Sequence, residues 1–221
     1  MGTISLENTD RLFWLGRYSE RVYTTIKLFI ISYDNMIDQD KNSYIDFCSS
    51  LDIPNIYNDC EEFRARYCFD IYDPNSICSN LYRAYDNAVI LREEIGSESL
   101  AYIQMAIYEI IKARESDTPL IELQQLLYHI LAFWGIYDDI IEDEAVRSFI
   151  KAGKRTERLD LYIRLKADKP HIERELNRLK GRLKKTTLSY NPAYIEEFEE
   201  LLKSDDLDYK RMLFLIESLY C

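Results

Sequence analysis

The chain has 221 residues, 47% of them hydrophobic, and a formal net charge of −11 at pH 7. That length supports one well-buried core or two small ones, and the composition is that of a soluble globular protein. So acidic a chain repels nucleic acid on average, and no apolar run reaches the roughly 18 to 20 residues that cross a bilayer, so neither nucleic acid nor membrane is an expected partner.

Asn8 or Asp10 is placed to cap a first helix running to about Asp38, with Phe13, Gly16, Glu20, Tyr23, Lys27, Ile30 and Ile31 sharing one stripe. Residues 39 to 74 hold short apolar clusters punctuated by Pro54 and Asp73-Pro74, which predicts short helices and loops. Ile77, Leu81, Ala84, Ala88, Leu91 and Ile95 give one helical stripe closed by Gly96, and a further helix starts at Ser97. Pro119 suits the first position of the next helix, and Gly135 with the acidic stretch Tyr137 to Glu144 is read as the break after it. A helix over roughly 142 to 166, another from Pro170 and two short ones beyond Asn191-Pro192 complete the chain.

No segment alternates with the period of a strand, so the fold class is all-α: a single multi-helix bundle over residues 1–221, whose second half begins at 142. The five cysteines are odd in number and lack C-x-x-C spacing, which argues against a disulfide framework or zinc site and points to a cytoplasmic setting. His129 and His171 stand alone. Asp138, Asp139, Glu142 and Asp143 could in principle meet a divalent cation, but acidic helix starts are common, and neither metal nor cofactor is expected.

The most informative pattern is internal. Residues 13 to 28, FWLGRYSERVYTTIKL, align without gaps on residues 150 to 165, IKAGKRTERLDLYIRL, matching Gly16 with Gly153, Glu20 with Glu157 and Arg21 with Arg158. Arg17 aligns with Lys154. In both segments helical spacing puts the glutamate on an apolar face, where an unpaired charge is costly. Two partnerships answer that cost. In one, the helices cross at the glycines, Glu20 pairs with Arg158 and Glu157 with Arg21. In the other, the carboxylates orient Arg17, Arg21, Lys154 and Arg158 toward a carboxylate or phosphate ligand. A lysine- and arginine-rich segment, 151 to 187, adds a cationic stripe at Arg174, Arg178, Arg182 and Lys185 that could dock a partner.

The string L-F-W-L-G-R-Y-S-E-R at 12 to 21, with G-K-R-T-E-R at 153 to 158, resembles the bacterial alpha-E family, helical proteins with a Glu-Arg motif. The segment 75 to 95 is similar to that family's central helix: Asp86, Asn87, Arg92 and Glu93 fit, while Tyr85 and Val89 replace two arginines. Leu100 and Gln104 stand where Trp and Asn would be expected. The resemblance implies company with ATP-grasp-type amide ligases and transglutaminase-like peptidases in handling small peptides or peptide tags. The expected role is an accessory or substrate-binding protein using Arg17, Arg21, Lys154, Arg158, Asn87 and Arg92 on a small anionic or peptide ligand. Gly16, Glu20, Gly153, Glu157, Asp86 and Glu93 would frame that site. The alternatives are an enzyme with Glu20 or Glu157 as acid or base, its pKa raised by burial, and a purely structural interaction module. No phosphate-cradling glycine loop, G-x-S-x-G or H-E-x-x-H nominates an independent chemistry.

Overall fold

A computed structural model describes residues 5–38 and 40–220. Among them eleven helices follow in order: α1 Leu6–Asp38, α2 Ser43–Leu51, α3 Cys60–Phe69, α4 Ile77–Ile90, α5 Arg92–Ile95, α6 Ser97–Glu115, α7 Pro119–Ile140, α8 Glu144–Arg164, α9 Lys169–Leu183, α10 Pro192–Leu201 and α11 Tyr209–Glu217. No strand forms among the described residues. A single bridge, Tyr190 with Tyr220, ties the chain's end to the turn before α10.

The helix starts are local and chemical. Asp59 accepts from the Glu62 amide at 2.8 Å, Ser76 from the Ser79 amide at 3.0 Å and Asp143 from the Ala145 amide at 2.7 Å, each taking up an amide the first turn leaves unpaired. Four expectations are corrected. Ser5, not Asn8 or Asp10, serves α1, its Oγ accepting from the Asn8 amide at 3.1 Å. The stripe from Ile77 to Ile95 is two helices, broken at Leu91, although the apolar spacing runs on unbroken. Gly135 lies inside α7, which continues to Ile140. Lys27 and Ile31 are exposed, because the stripe through Glu20 turns to solvent there. Gly96 does close its segment, at φ +79°, where glycine alone is unstrained.

The core is in two parts. Side chains from α1 to α7 and Val146, Phe149, Ile150 and Leu161 of α8 form one apolar cluster, including the aromatic group Phe29, Tyr44, Phe47, Phe63 and Tyr67. Ala152, Leu159 and Ile163 of α8 with α9, α10 and α11 form the second, joined by Phe13 of α1. α1 and α8 therefore lie at the seam. Cys48, Cys60, Cys68 and Cys78 are free and buried, and loss of water raises the Cys48 and Cys78 thiols to about 11, which makes them inert.

At the seam the two backbones touch. A Cβ on Gly16 would sit 2.0 Å from the Ile150 carbonyl oxygen, and one on Gly153 would sit 1.9 Å from that of Phe13. No side chain can move to relieve either clash. Alanine at 16 or 153 should therefore destabilise by about 2–3 kcal/mol despite its better helix propensity. Gly135 has nothing within 4 Å of its would-be Cβ, so Gly135→Ala should stabilise by up to about 1 kcal/mol. Urea denaturation of the three variants checks the contrast, and equal effects at 16, 153 and 135 would contradict it.

Candidate functional site

The contacts between α1 and α8 climb together: Phe13 with Gly153, Arg17 and Arg21 with Glu157, Glu20 with Arg158. The helices thus run side by side in the same direction. Contact at the glycines brings the next turn of each against the other, and both motif glutamates fall into that space, Glu20 at 0% and Glu157 at 1% exposure.

Each glutamate is met by arginine from the opposite helix. Arg158 Nε donates to Glu20 Oε1 at 2.6 Å, with the Thr24 hydroxyl donating to the same oxygen at 3.3 Å. Arg17 Nε donates to Glu157 Oε2 at 2.7 Å, and Arg21 Nε takes Oε1. Glu157 has both oxygens occupied, whereas Glu20 Oε2 is buried without a protein partner. The aligned pair Arg17 and Lys154 explains the difference. Arg17 rests 4.9 Å from the Trp14 ring centroid and still reaches Glu157. Lys154 is drawn to 3.6 Å from the Trp134 ring centroid and among the described residues makes no hydrogen bond or ion pair, so Glu20 keeps one oxygen open. A lysine lacks the fork that lets arginine serve two neighbours.

Electrostatics follow the same asymmetry. Burial alone would raise the Glu157 carboxyl, but Arg21 and then Arg17 outweigh it and hold the pKa below the ordinary value. The expectation of a raised, proton-donating Glu157 is therefore corrected: it is a fixed anion. Lys154 goes the other way. Loss of water lowers it, against the pull of Glu20 and with the push of Arg158 and Arg155, to about 7.

The network extends beyond the motif to residues the sequence reading did not select. Asp160, 1% exposed, accepts from Arg164 Nε at 2.6 Å and lies 3.8 Å from Arg17. Glu175 of α9, equally buried, accepts from Arg155 at 2.8 Å and from Arg178 at 2.7 Å. Asp160 was legible, three residues beyond Glu157 and four before Arg164 on one stripe. Glu175 carried no local signal.

Beside this network lies a cavity of about 110 Å³, lined by Arg21, Thr25, Leu51, Asp52, Ile53, Tyr67, Asn75, Leu161 and Arg164. Arg164 is spent on Asp160, Asp52, Glu217 and the Leu51 carbonyl. Arg21 uses Nε on Glu157, and its two terminal nitrogens take no hydrogen bond among the described residues.

The proposed anion-binding cations do not converge. Arg17 and Arg158 are committed to carboxylates, Lys154 sits on the α7 side, and Arg21 alone of the four lines the cavity. Asn87 bonds Arg11, at 3.5 Å, which lies about 14 Å from Glu20 along α1 at 1.5 Å per residue. Arg92 is exposed and bonded to Ser97, with Asp86 and Glu93 also exposed. The central helix passes the early turns of α1, which keeps its polar residues from the crossing. The cationic stripe is partly neutralised, Arg178 by Glu175 and Lys185 by Glu144. Among the acidic group, Asp143 caps α8 and Asp138 accepts from Lys151 at 2.6 Å. No cluster of three or more metal-ligating side chains occurs among the described residues.

Paired glutamates and arginines buried between two helices of an all-α protein define the class: a helical domain organised by Glu-Arg motifs. The chain belongs to the Alpha-E family, described as a predicted alpha-helical domain with a conserved ER motif, which it matches over residues 8–204. No curated protein and no solved structure matches it. Among the described residues no helix is long and apolar enough to cross a membrane.

Glu157→Gln removes the counter-charge of two arginines and should cost about 3 kcal/mol. Glu157 and Glu175 are depressed, so between their folded values and the ordinary value the unfolded chain binds more protons. Their contribution is complete above a pH of about 4.3 and is lost as pH falls through the folded values. Urea midpoints below pH 5 should fall less steeply in the variant than in the parent. For Lys154 the penalty is full below pH 7 and relieved as pH rises toward the unfolded ammonium's roughly 10.4. The stability gained by Lys154→Met should therefore shrink from pH 6 to pH 9; a constant difference would contradict a lowered Lys154.

Proposed function

We propose that the chain is a helical accessory or substrate-binding protein of the cytoplasm that works with an ATP-grasp-type amide ligase on small peptides or peptide tags. In this reading the two Glu-Arg segments are two copies of one device in a bacterial protein. Each carboxylate fixes an opposing guanidinium, and Arg21 is the one that meets ligand.

The observation that carries the reading is Arg21 itself. Its Nε is held by a buried carboxylate, its terminal nitrogens take no hydrogen bond among the described residues, and the residue lines a small cavity with Thr25, Tyr67 and Asn75. A guanidinium fixed at Nε presents two parallel donors, the arrangement a carboxylate accepts best. The cavity's size suits one carboxylate or the end of a peptide. Amide ligases activate a carboxylate for attack by an amine, and holding a substrate in place for that step is what a fixed, charged pocket contributes. No metal-ligating cluster or nucleophile of assigned role joins Arg21 there.

Calorimetric titration with short peptides and simple dicarboxylates tests the pocket. Arg21→Gln should weaken binding by about tenfold or more, the loss of one charge-assisted hydrogen bond, with the fold intact by circular dichroism. Affinity capture from the native host tests the partner. Absence of a ligase among captured proteins would overturn the partnership, and peptide binding unchanged in Arg21→Gln would overturn the pocket. Unfolding of Arg21→Gln would make the pair architectural and favour the structural-module reading.

A further inference from the structure

Two arginines of α3 lie two residues apart and meet opposite fates. Arg66 finds Glu62 four residues before it and Asp70 four residues after, and pairs with both. Arg64 has Cys60 and Cys68 at those positions, so its own helix offers it no carboxylate there. Its guanidinium lies over the Tyr33 ring, with Cζ 5.0 Å from the centroid, and its Nε is buried without a hydrogen-bond partner among the described residues. No ion pair to Arg64 forms among those residues either.

Arg64 also stands at a cleft. A cavity of about 210 Å³ is walled by Phe29 and Tyr33 of α1, Ala65 and Phe69 of α3, and Pro119 and Leu123 of α7, with Arg64 and Glu61 completing the lining. Phe29 and Leu123, at 1% and 0% exposure, close it with hydrocarbon. Arg64 and Glu61 line a second cavity as well, of about 600 Å³, so the guanidinium borders open space on two sides. Neither cavity shares a lining residue with the one at Arg21.

We propose that the smaller cleft binds a carboxylic acid with a flat apolar body, an arylalkanoate, whose ring lies among Phe29, Tyr33, Phe69 and Leu123 and whose carboxylate meets Arg64. Volume and charge both point there. A cavity of about 150 Å³ admits benzene, so this one holds a phenyl ring with a short chain to spare. The aromatic walls give that ring offset and edge-on contacts, and the guanidinium fork gives the carboxylate two donors. One arginine balances one negative charge. Glu61, exposed and making no ion pair with Arg64, shares the wall and would repel the second charge of a phosphate.

The test is calorimetric titration of the full chain with 3-phenylpropionate, set beside 3-phenylpropionamide, which lacks the charge, and propionate, which lacks the ring. Each comparator should bind at least about tenfold more weakly than the acid. Arg64→Gln should weaken the acid by about tenfold or more and leave the amide unchanged. Ala65→Phe, a substitution at an exposed wall position that keeps the charge, should block acid and amide alike, and it decides the matter if Arg64→Gln fails to fold. Arg21→Gln should leave the acid's affinity as it is, which separates this cleft from the site proposed at Arg21. In isotope-labelled protein the ligand ring should give nuclear Overhauser effects to the Leu123 methyls. Equal affinity for acid and amide, binding untouched by Ala65→Phe, loss of binding in Arg21→Gln, or no binding at millimolar acid would overturn the proposal.

Discussion

Two helices whose backbones touch leave no room for side chains at the point of contact, and everything near the centre of this protein follows from that. With carbonyl oxygens of one helix packed on the glycines of the other, the neighbouring turns are forced together, and the residue four positions on is buried on both sides. Here that residue is glutamate twice. A buried carboxylate is tolerated only with a donor close by, and the closest backbone able to supply one belongs to the facing helix. The glycine and the Glu-Arg pair are therefore one device: the first creates the buried space and the second makes it electrically tolerable.

The same device gives unequal results on its two sides, and a single residue type accounts for it. Arginine at 17 can rest on a tryptophan and still donate to Glu157, so that carboxylate is saturated and Arg21 is left with donors to spare. Lysine at 154 rests on a tryptophan and reaches nothing further, so Glu20 is half satisfied and the amine is stripped of water. One side accordingly holds a guanidinium that is permanently charged and pinned. The other holds an amine whose charge depends on pH. A permanently charged, pinned guanidinium suits the anion recognition proposed for Arg21, whereas the lysine offers neither a fork nor a fixed charge.

Much of this was legible in the sequence because it repeats at one offset. Glycine, glutamate and arginine in the same register, on a face that spacing marks as apolar, implied crossing helices with exchanged partners. The fold class came from periodicity. What periodicity cannot register is the backbone between side chains. The stripe from Ile77 to Ile95 keeps its spacing through the break at Leu91, and Gly135 resembles a terminator although the helix runs through it and its position faces open space. Nor does local pattern join distant elements. Thr25, Asp52, Tyr67 and Asn75 lie in four separate stretches, and only tertiary packing makes them the walls of one cavity. The central Asn87 and Arg92 read as motif but sit along the early turns of α1 and after α4, because α4 packs past the crossing instead of into it.

The placement of charge also resolves an apparent conflict between a strongly acidic chain and a proposed anionic ligand. A net charge of −11 would repel an anion if it were spread evenly. At the seam, however, Glu157, Asp160, Glu175 and Glu20 are buried and each is bonded to arginine, so their charge is spent over a few ångströms, while Arg21, which lines the cavity, keeps its terminal nitrogens without a hydrogen bond among the described residues. At the short range where a pocket selects its ligand, hydrogen-bond direction outweighs the distant field, which salt screens beyond roughly 8 Å at physiological ionic strength. In the proposed reading the acidic exterior would bear on encounter and choice of partner, and the fixed guanidinium on recognition. A ligand that carries a carboxylate at one end and is otherwise neutral or cationic satisfies both, which describes a short peptide better than a free polyanion.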